Sequence, residues 1–329
     1  MDKKLLVKFL TKKSIYLLSL LIAVCLISFI LISISPIDPV QSYVGAGVAV
    51  SPEQRENIES FWGLDKSPAE KLLSWGRAIL KGDLGVSLIY RRQVLDIIKE
   101  RFAMSILLMA LGWTFSGLTG YFLGLLMGLN NGRLIDKVLR AISLTLASTP
   151  AFWVGLILLL TFSIGLGLFP IGLSVPIGLL AEEVTWLQRL HHAILPALAL
   201  GLTSFSSIAL HTRDKVIGVL NSDFVLFARA RGESRREIVK NHVIRNTIIP
   251  ALTLQFASFS ELFGGSVLVE QVFSYPGLGK AVVEAGLRSD IPLLLGITIF
   301  SAIFVFFGNT IANVFYGIVH PQIREGNYE

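Results

Sequence analysis

Charge is scarce in this chain. Only 16% of its 329 residues are Asp, Glu, Lys or Arg, and 53% are hydrophobic; soluble proteins carry roughly 25% charged residues. That balance points to the bilayer, where about 20 consecutive apolar residues make a spanning helix. Cysteine is nearly absent. Cys25 stands alone inside an apolar run, which excludes an internal disulfide and leaves it as a small packing residue. No phosphate-cradling GxxxxGK[ST] loop is present, so ATP hydrolysis is not expected on this chain. HExxH and GxSxG are missing as well. With no acid pair and no nucleophile–base pair in the apolar runs, a membrane-embedded enzyme is a distant rival. The net charge of +6 is modest, and the basic residues gather at the ends of apolar runs. This suits loops at a membrane surface rather than a nucleic-acid groove.

What the chain has in quantity is apolar length. Six runs are long enough to cross a membrane: Ile15 to Ile34, Phe102 to Leu129, Ala141 to Leu166, Ala193 to Leu210, Thr247 to Val269 and Ile291 to Val319. The first is too long for a signal peptide, and Ile34-Ser35-Pro36 makes a poor cleavage site, so it is read as a retained span. Lys3, Lys4, Lys8, Lys12 and Lys13 precede it and place the N-terminus inside by the positive-inside tendency. Six spans return the C-terminus to the same side. The loops sort accordingly. Asn130 to Arg140 carries Arg133, Lys137 and Arg140 and falls inside; Gly167 to His192 has Arg189 as its only Lys or Arg and falls outside. The long segment from Ser35 to Arg101 falls outside. Its Pro36, Pro39, Pro52 and Pro68 separate short amphipathic pieces such as Pro68 to Leu80, which predicts short helices on the outer rim. The expected organisation is therefore residues 1–101 as first span plus outer segment, 102–319 as a five-helix core, and 320–329 as an inner tail.

The most informative stretch is Asp223 to Pro250, DFVLFARARGESRREIVKNHVIRNTIIP. It has helical character and lies between two spans. Arg229, Arg231, Arg235, Arg236, Lys240 and Arg245 make it basic, with His242 adding charge when protonated. From Arg213 to Asn246 there are eight Lys or Arg residues, so the loop falls inside. An ordered polar insert of this kind in a membrane protein implies a soluble partner, most simply an engine.

Within the spans, Gly120, Gly124 and Gly128 form a small-residue stripe that lets a neighbouring helix approach closely. Bundle packing and a seam that slides when a pathway opens are both consistent with it. Pro150, beside Ser148 and Thr149, interrupts the third span. Pro196 and Pro250 read as residues near helix starts, where a missing donor costs little. Glu261 reads as the one acid well inside a span. Thirteen residues after Ile248, at ~1.5 Å each, it lies ~20 Å deep. It is either a protonated or hydrogen-bonded structural group, or a lining group of a cargo path. His191 and His192 are adjacent and point in different directions on a helix, so they form an interfacial polar pair more readily than a metal site. His211, His242 and His320 are isolated near span ends.

Taken in order, several segments resemble the permease subunit of bacterial ATP-binding-cassette importers, in the dipeptide/oligopeptide/nickel branch. They are Gly82-Asp83-Leu84-Gly85 with Ser87; Pro150 with Phe152-Trp153; Leu195-Pro196-Ala197-Leu198; Ala228-Arg229-Ala230-Arg231-Gly232 with His242, Arg245, Asn246 and Pro250; Glu270-Gln271-Val272-Phe273-Ser274-Tyr275-Pro276-Gly277-Leu278-Gly279; and Asp290 with Pro292. The resemblance covers nearly the whole chain. It implies an all-α, multi-pass protein of the bacterial inner membrane with the type I importer permease fold. It implies a second homologous permease chain, two cytoplasmic ATPase subunits that hold the ATP and magnesium, and an extracellular substrate-binding protein. It makes residues 211–247 a coupling loop in which Ala228, Ala230 and Gly232 seat closely in an ATPase cleft and Arg229, Arg235 and Arg236 pair with acids on its rim. No cofactor is implied on this chain. Cargo by resemblance is a di- or oligopeptide, with nickel or a metal chelate as the alternative and a passive channel as a distant one. The chain departs from the branch at Asn313, His320 and Gln322, where an acid and Asp-Pro-Arg are usual; Pro321 and Arg324 remain. That bears on contacts of the C-terminal end.

Overall fold

The computed structural model describes residues 3–34, 39–44, 50–62, 65–179 and 183–319, and the chain is helical almost throughout. Pro36, His320, Pro321, Gln322, Arg324 and the tail at 320–329 lie outside the described residues. Contacts divide the chain into two units, Met1–Met104 with Gly277–Phe306, and Ser105–Pro276 with Phe307–Glu329.

In the first unit, α1 runs Lys3–Ser33 and is followed by three short helices, α2 Pro39–Val44, α3 Pro52–Trp62 and α4 Pro68–Leu80. The prolines at their starts supply a fixed φ where no intrahelical donor is needed. A capping box fixes the start of α4: the Ser67 hydroxyl accepts from Glu70 N, and the Glu70 carboxylate accepts from Ser67 N. The Gly-Asp-Leu-Gly turn follows, with φ of +82° at both Gly82 and Gly85, the left-handed region open to glycine. The first turns of α5 (Val94–Leu129), then α13 (Leu278–Leu287) and α14 (Ile291–Val319) as far as Phe306, complete this unit. Two motifs far apart in sequence meet here. The Ser87 hydroxyl donates to Asp290 at 2.6 Å and Ile89 N donates to the same oxygen at 3.0 Å. Leu293 N donates to the other at 3.1 Å. Asp290 is wholly buried, and burial pushes its carboxyl above the usual range. Tyr90 donates to Glu284 at 2.6 Å; burial first and that bond second push its phenol up to about 12.

The second unit holds the rest of α5, α6 (Leu134–Ala147), α7 (Ala151–Leu158) with a π-helical turn Leu159–Gly165, α8 (Trp186–Leu220), α9 (Asp223–Ala230), α10 (Arg235–Ile238) with a π-helical turn Val239–Ile244, α11 (Arg245–Ala257) and α12 (Phe259–Val272). Among the described residues four helices are long and apolar enough to span a membrane unbroken, and two further candidate spans are bent, α6–α7 by 108° and α10–α12 by 48°. A bent pair either crosses or re-enters, and contacts along the neighbouring helices decide which. For α6–α7 the ruler is α8. Asp136 pairs with Arg213 at 2.6 Å. Leu139 and Leu146 pack on the cluster of Met127, Phe205 and Ala209. A Cβ on Gly155 would lie 3.6 Å from that of Ala199, and His191 Nε2 donates to Leu168 O at 3.1 Å. One series rises as the other falls, so α6–α7 travels the length of α8 antiparallel to it and crosses.

For the fifth span the ruler is α5. Arg235 donates to Leu129 O at 2.9 Å, Tyr121 and Thr247 share a hydroxyl hydrogen bond of 3.1 Å, Gln255 donates to Trp113 O at 2.6 Å, and Ser105 donates to Glu270 at 2.7 Å. This too is a full antiparallel crossing. Helices α5 and α8, by contrast, run parallel. A Cβ at Gly120 would meet Phe205 O at 2.8 Å, one at Gly124 would meet Thr212 Cβ at 2.6 Å, and one at Gly128 would meet Val216 Cβ at 2.5 Å. The glycine stripe is therefore the seam of these two spans, and it extends outward to Gly112, where a Cβ would stand 3.2 Å from Leu200. The directions agree with one another: spans two and four run the same way and spans three and five run back.

Two expectations need correction. Pro196 and Pro250 both lie inside helices, in α8 and α11, rather than near their starts. The reason is length. Helix α8 has 35 residues, ~52 Å at ~1.5 Å each, so it continues well past the ~30 Å apolar core and Thr185 caps it with Gln188 in a capping box. Helix α11 continues directly from the π turn before it. Pro150 does break its span, at the N-cap of α7.

Candidate coupling surface

The basic loop between spans four and five folds as two short helices. Helix α9 buries Val225 and Ala228 completely and leaves Phe224, Leu226 and Phe227 exposed, at 46%, 65% and 70%. The periodicity explains the division. Residues three apart share a helix face, and Val225 sits in a cluster with Val216, Ile238 and Val243, against Leu125, Leu129, Val219 and Leu220. Ala228 thus faces its own bundle. The expectation that it seats in a partner's cleft is overturned by that packing; Ala230 and Arg231 do stand exposed.

The turn between the helices is held locally. Gly232 adopts φ +86° and its N–H donates to Arg229 O at 2.9 Å, while Glu233 N donates to Ala228 O at 3.1 Å. Ser234 then opens α10 with a capping box to Glu237. The Glu233 carboxylate accepts from His242 Nε2 at 2.9 Å and from Arg231 at 2.7 Å. The His242 bond first and Arg231 second hold its carboxyl below the usual range. Asn246 donates to His242 O at 2.6 Å.

The arginines divide by task. Arg235 donates to Leu129 O, closing the open C-terminal end of α5, where carbonyls lack intrahelical donors. Arg213, below the loop, is bound by Asp136, Asp214 and Asn131 at 2.6, 2.9 and 3.0 Å, and Gly132 N donates to Asp136 at 2.8 Å. Arg236, Lys240 and Arg245 are exposed. A cleft of about 430 Å³ opens among Leu129, Leu220, Arg229, Glu233, Arg235 and Ile238. The surface is therefore an apolar trio with a basic surround, the arrangement by which an amphipathic helix enters an apolar groove. Sequence reasoning weighted the charges and missed Phe224, Leu226 and Phe227; their signal was the apolar remainder of α9 once Val225 and Ala228 are assigned inward.

The other expected residues are placed as follows. Glu261 is exposed in the first turn of α12. It is not the one acid in a span, because α12 continues to Val272 and carries the fully buried Glu270. Phe273 is buried, and its carbonyl accepts from Leu173 N at 2.9 Å; Pro276 is half-buried. Gly277 precedes α13 as its N-cap and Gly279 is buried in its first turn. Asn313 is exposed on α14. His191 and His192 point apart, to Leu168 O and Gly172 O. Among the described residues no group of three or more His, Cys, Asp or Glu is placed to hold a metal.

Residues 120–325 match the family described as "Binding-protein-dependent transport system inner membrane component". The chain is 30% identical to the oligopeptide transport system permease protein AppB of Bacillus subtilis (strain 168), over 96% of this chain and 99% of the relative. It is 33% identical to the di/tripeptide transport system permease protein DppB of Pseudomonas aeruginosa (strain UCBPP-PA14), over 92% and 94%, and 28% identical to the dipeptide transport system permease protein DppB of Escherichia coli (strain K12), over 92% and 94%. A solved amino acid ABC transporter chain with histidines is similar at 18% identity and a TM-score of 0.48, covering 70% of this chain and 94% of that one.

Proposed function

The chain belongs to the binding-protein-dependent transport system inner membrane component family, and we propose that it carries di- or oligopeptides through a path formed with a second permease chain. It is a multi-pass protein of the bacterial inner membrane and a permease subunit of an ATP-binding-cassette importer of the peptide family, a transport component and not an enzyme. Peptide is the cargo because the relatives are named for peptide transport.

In this reading two ATPase subunits supply the work and an extracellular binding protein delivers the peptide. Residues 102–319 form the permease core, and residues 1–101 add the first span and outer segment. The carrying observation is the exposed trio Phe224, Leu226 and Phe227 on a helix whose other face is locked into the bundle. A force applied to that trio reaches α8 through Val216 and, through Ile238 of α10 and Val243 of the π-helical turn, the helix α11 that continues from that turn. Closure of the ATPases then favours one of two packings of the spans. Glu261, exposed in the fifth span, faces the path or the second chain, because a carboxyl at that depth is costly against lipid.

The test is reconstitution in vesicles with the two ATPases, the second permease and the binding protein. ATP-dependent uptake of a tripeptide is expected, with both uptake and peptide-stimulated hydrolysis lost in Phe227→Asp. Peptide flux without ATP would contradict the reading.

A further inference from the structure

Helix α6, the first part of span three, divides lengthwise into three faces. Asp136 and Ser143 are buried, and Leu139 and Leu146 pack beside them on the cluster of Met127, Phe205 and Ala209. Leu134, Ile135, Val138 and Ile142 form a second face and are all exposed. Lys137 and Arg140, three apart and so neighbours on the helix surface, share the third, with Arg133 one turn before them at the N-cap. These three are exposed as well, and they extend over about 10 Å. The acid of this helix does not neutralise them. Asp136 stands on the buried face, where Arg213 Nε and Nη2 donate to its two oxygens at 2.6 and 2.9 Å and Gly132 N donates at 2.8 Å. Arg133 reaches Asn130 Oδ1 only at 3.4 Å, and Lys137 makes no ion pair among the described residues.

The placement of α6 gives these faces a surrounding. The bend of 108° between α6 and α7 lets at most one of them stand along the membrane normal. Helix α7 is apolar at every position and takes the bilayer interior, so α6 is the inclined one. Leu139 and Leu146, seven residues apart, accordingly reach one and the same cluster on α5 and α8. Arg213 also donates to Asn131 at 3.0 Å, which holds the start of α6 beside the last turns of α8. An inclined helix with one apolar and one basic face at a membrane surface buries the first at the acyl boundary and turns the second to anionic headgroups.

We propose that α6 is a binding site for acidic phospholipid of the inner leaflet, in which Lys137 and Arg140, joined by Arg133, hold the phosphate groups while Leu134, Val138 and Ile142 lie against the acyl chains. The apolar face commits the site to lipid phosphate rather than free phosphate. The proposal rests on the reading that puts this end of the bundle inside, and it adds a lipid on which that end is seated. Asp136 ties α6 to Arg213 of α8, and α8 leads into the basic loop, so the lipid bears on the helix through which the ATPases act.

The test uses the assembled transporter, exchanged into micelles holding equal amounts of phosphatidylglycerol and phosphatidylcholine, with the lipids retained on the complex counted by native mass spectrometry. Each basic residue near an anionic surface is worth about fivefold. The wild-type complex should retain phosphatidylglycerol in preference, and Lys137→Gln with Arg140→Gln should lower the ratio by about tenfold or more. Lys137→Gln alone should lower it by about fivefold, and serves as the second reading should the double variant fail to assemble. Lys215→Gln, which removes another exposed lysine of α8, should leave the ratio unmoved. Equal retention of the two lipids by wild type, a ratio unmoved by the α6 variants, or an equal loss in Lys215→Gln overturns the site, the last because total charge alone would then be at work. So does displacement of phosphatidylglycerol by millimolar inorganic phosphate, which would make the guest a free anion. ATP-driven tripeptide uptake by the same complex separates the two levels. Uptake with an unmoved ratio removes the lipid site alone, whereas absence of uptake removes the transport reading itself.

Discussion

Trp113 and Gln255 exchange two hydrogen bonds across spans two and five: Trp113 Nε1 donates to Gln255 O at 2.8 Å, and Gln255 Nε2 donates to Trp113 O at 2.6 Å. The exchange fixes the register of the bent fifth span. Ser258 also donates to Gln255 O, at 3.0 Å, so this carbonyl serves two side-chain donors at the point where α11 ends and α12 begins. Inter-span hydrogen bonds are worth about 1 kcal/mol in lipid. Trp113→Phe and Gln255→Leu should each lower stability by about that amount, with the double variant costing less than the sum. Unfolding in mixed micelles measures this, and strictly additive losses would show that the pair does not act as one contact.

The glycine seam makes a steric prediction. A side chain on Gly124 or Gly128 would enter Thr212 or Val216, and packed helices cannot part without losing the neighbouring contacts. Gly124→Val should reduce folded yield several-fold, while Gly264→Ala, with nothing within 4 Å of the added carbon, should be neutral. Size-exclusion profiles in detergent report the difference.

At the turn between α9 and α10, Gly232 has φ +86°, where a side chain costs roughly 1–2 kcal/mol. Gly232→Val should leave insertion intact and loosen the turn, seen as faster hydrogen exchange at residues 229–234 and as ATP hydrolysis no longer tied to peptide uptake. Unchanged exchange and uptake would show that the turn tolerates another geometry.

Glu233 sets a pH dependence for the same turn. Its carboxyl is held below the ordinary value by His242 and then Arg231. A carboxyl depressed in the folded state contributes stability above its unfolded value of about 4, and that contribution is lost as pH falls through the lower folded value. Hydrogen exchange in the turn, taken relative to the intrinsic amide rate at each pH, should therefore be flat from neutrality down to the carboxylate range and rise below it. Glu233→Gln should remove the rise.

Much of this was legible in the sequence, and the remainder has physical reasons. Helix α4 occupies Pro68–Leu80 as its amphipathic pattern and opening proline indicate. The apolar runs mark all six crossings because composition alone sets what lipid accepts. The bend after Ala257 was not legible. Neither Gly nor Pro stands there, and the break coincides with the hydrogen bonds exchanged with Trp113, which is remote in sequence. The interior prolines are hidden for a related cause: hydrophobicity stops before the helix does, because Thr185 with Gln188 carries α8 beyond its apolar core. In the loop between spans four and five charge is the loudest signal, yet Arg235 is occupied by Leu129 O, and the outward face belongs to Phe224, Leu226 and Phe227. Ser87 with Asp290 and Asp136 with Arg213 were invisible as pairs, because proximity across 203 and 77 positions is made only by the fold.

The account depends on the loop from Asn221 to Asn246 facing the cytoplasm. Cys25 is the only cysteine, so a Cys25→Ser chain carrying Arg236→Cys presents one thiol on that loop. Labelling with a membrane-impermeant maleimide is the direct measurement. The account predicts no labelling in intact spheroplasts and full labelling in inside-out vesicles; labelling of intact spheroplasts would contradict it.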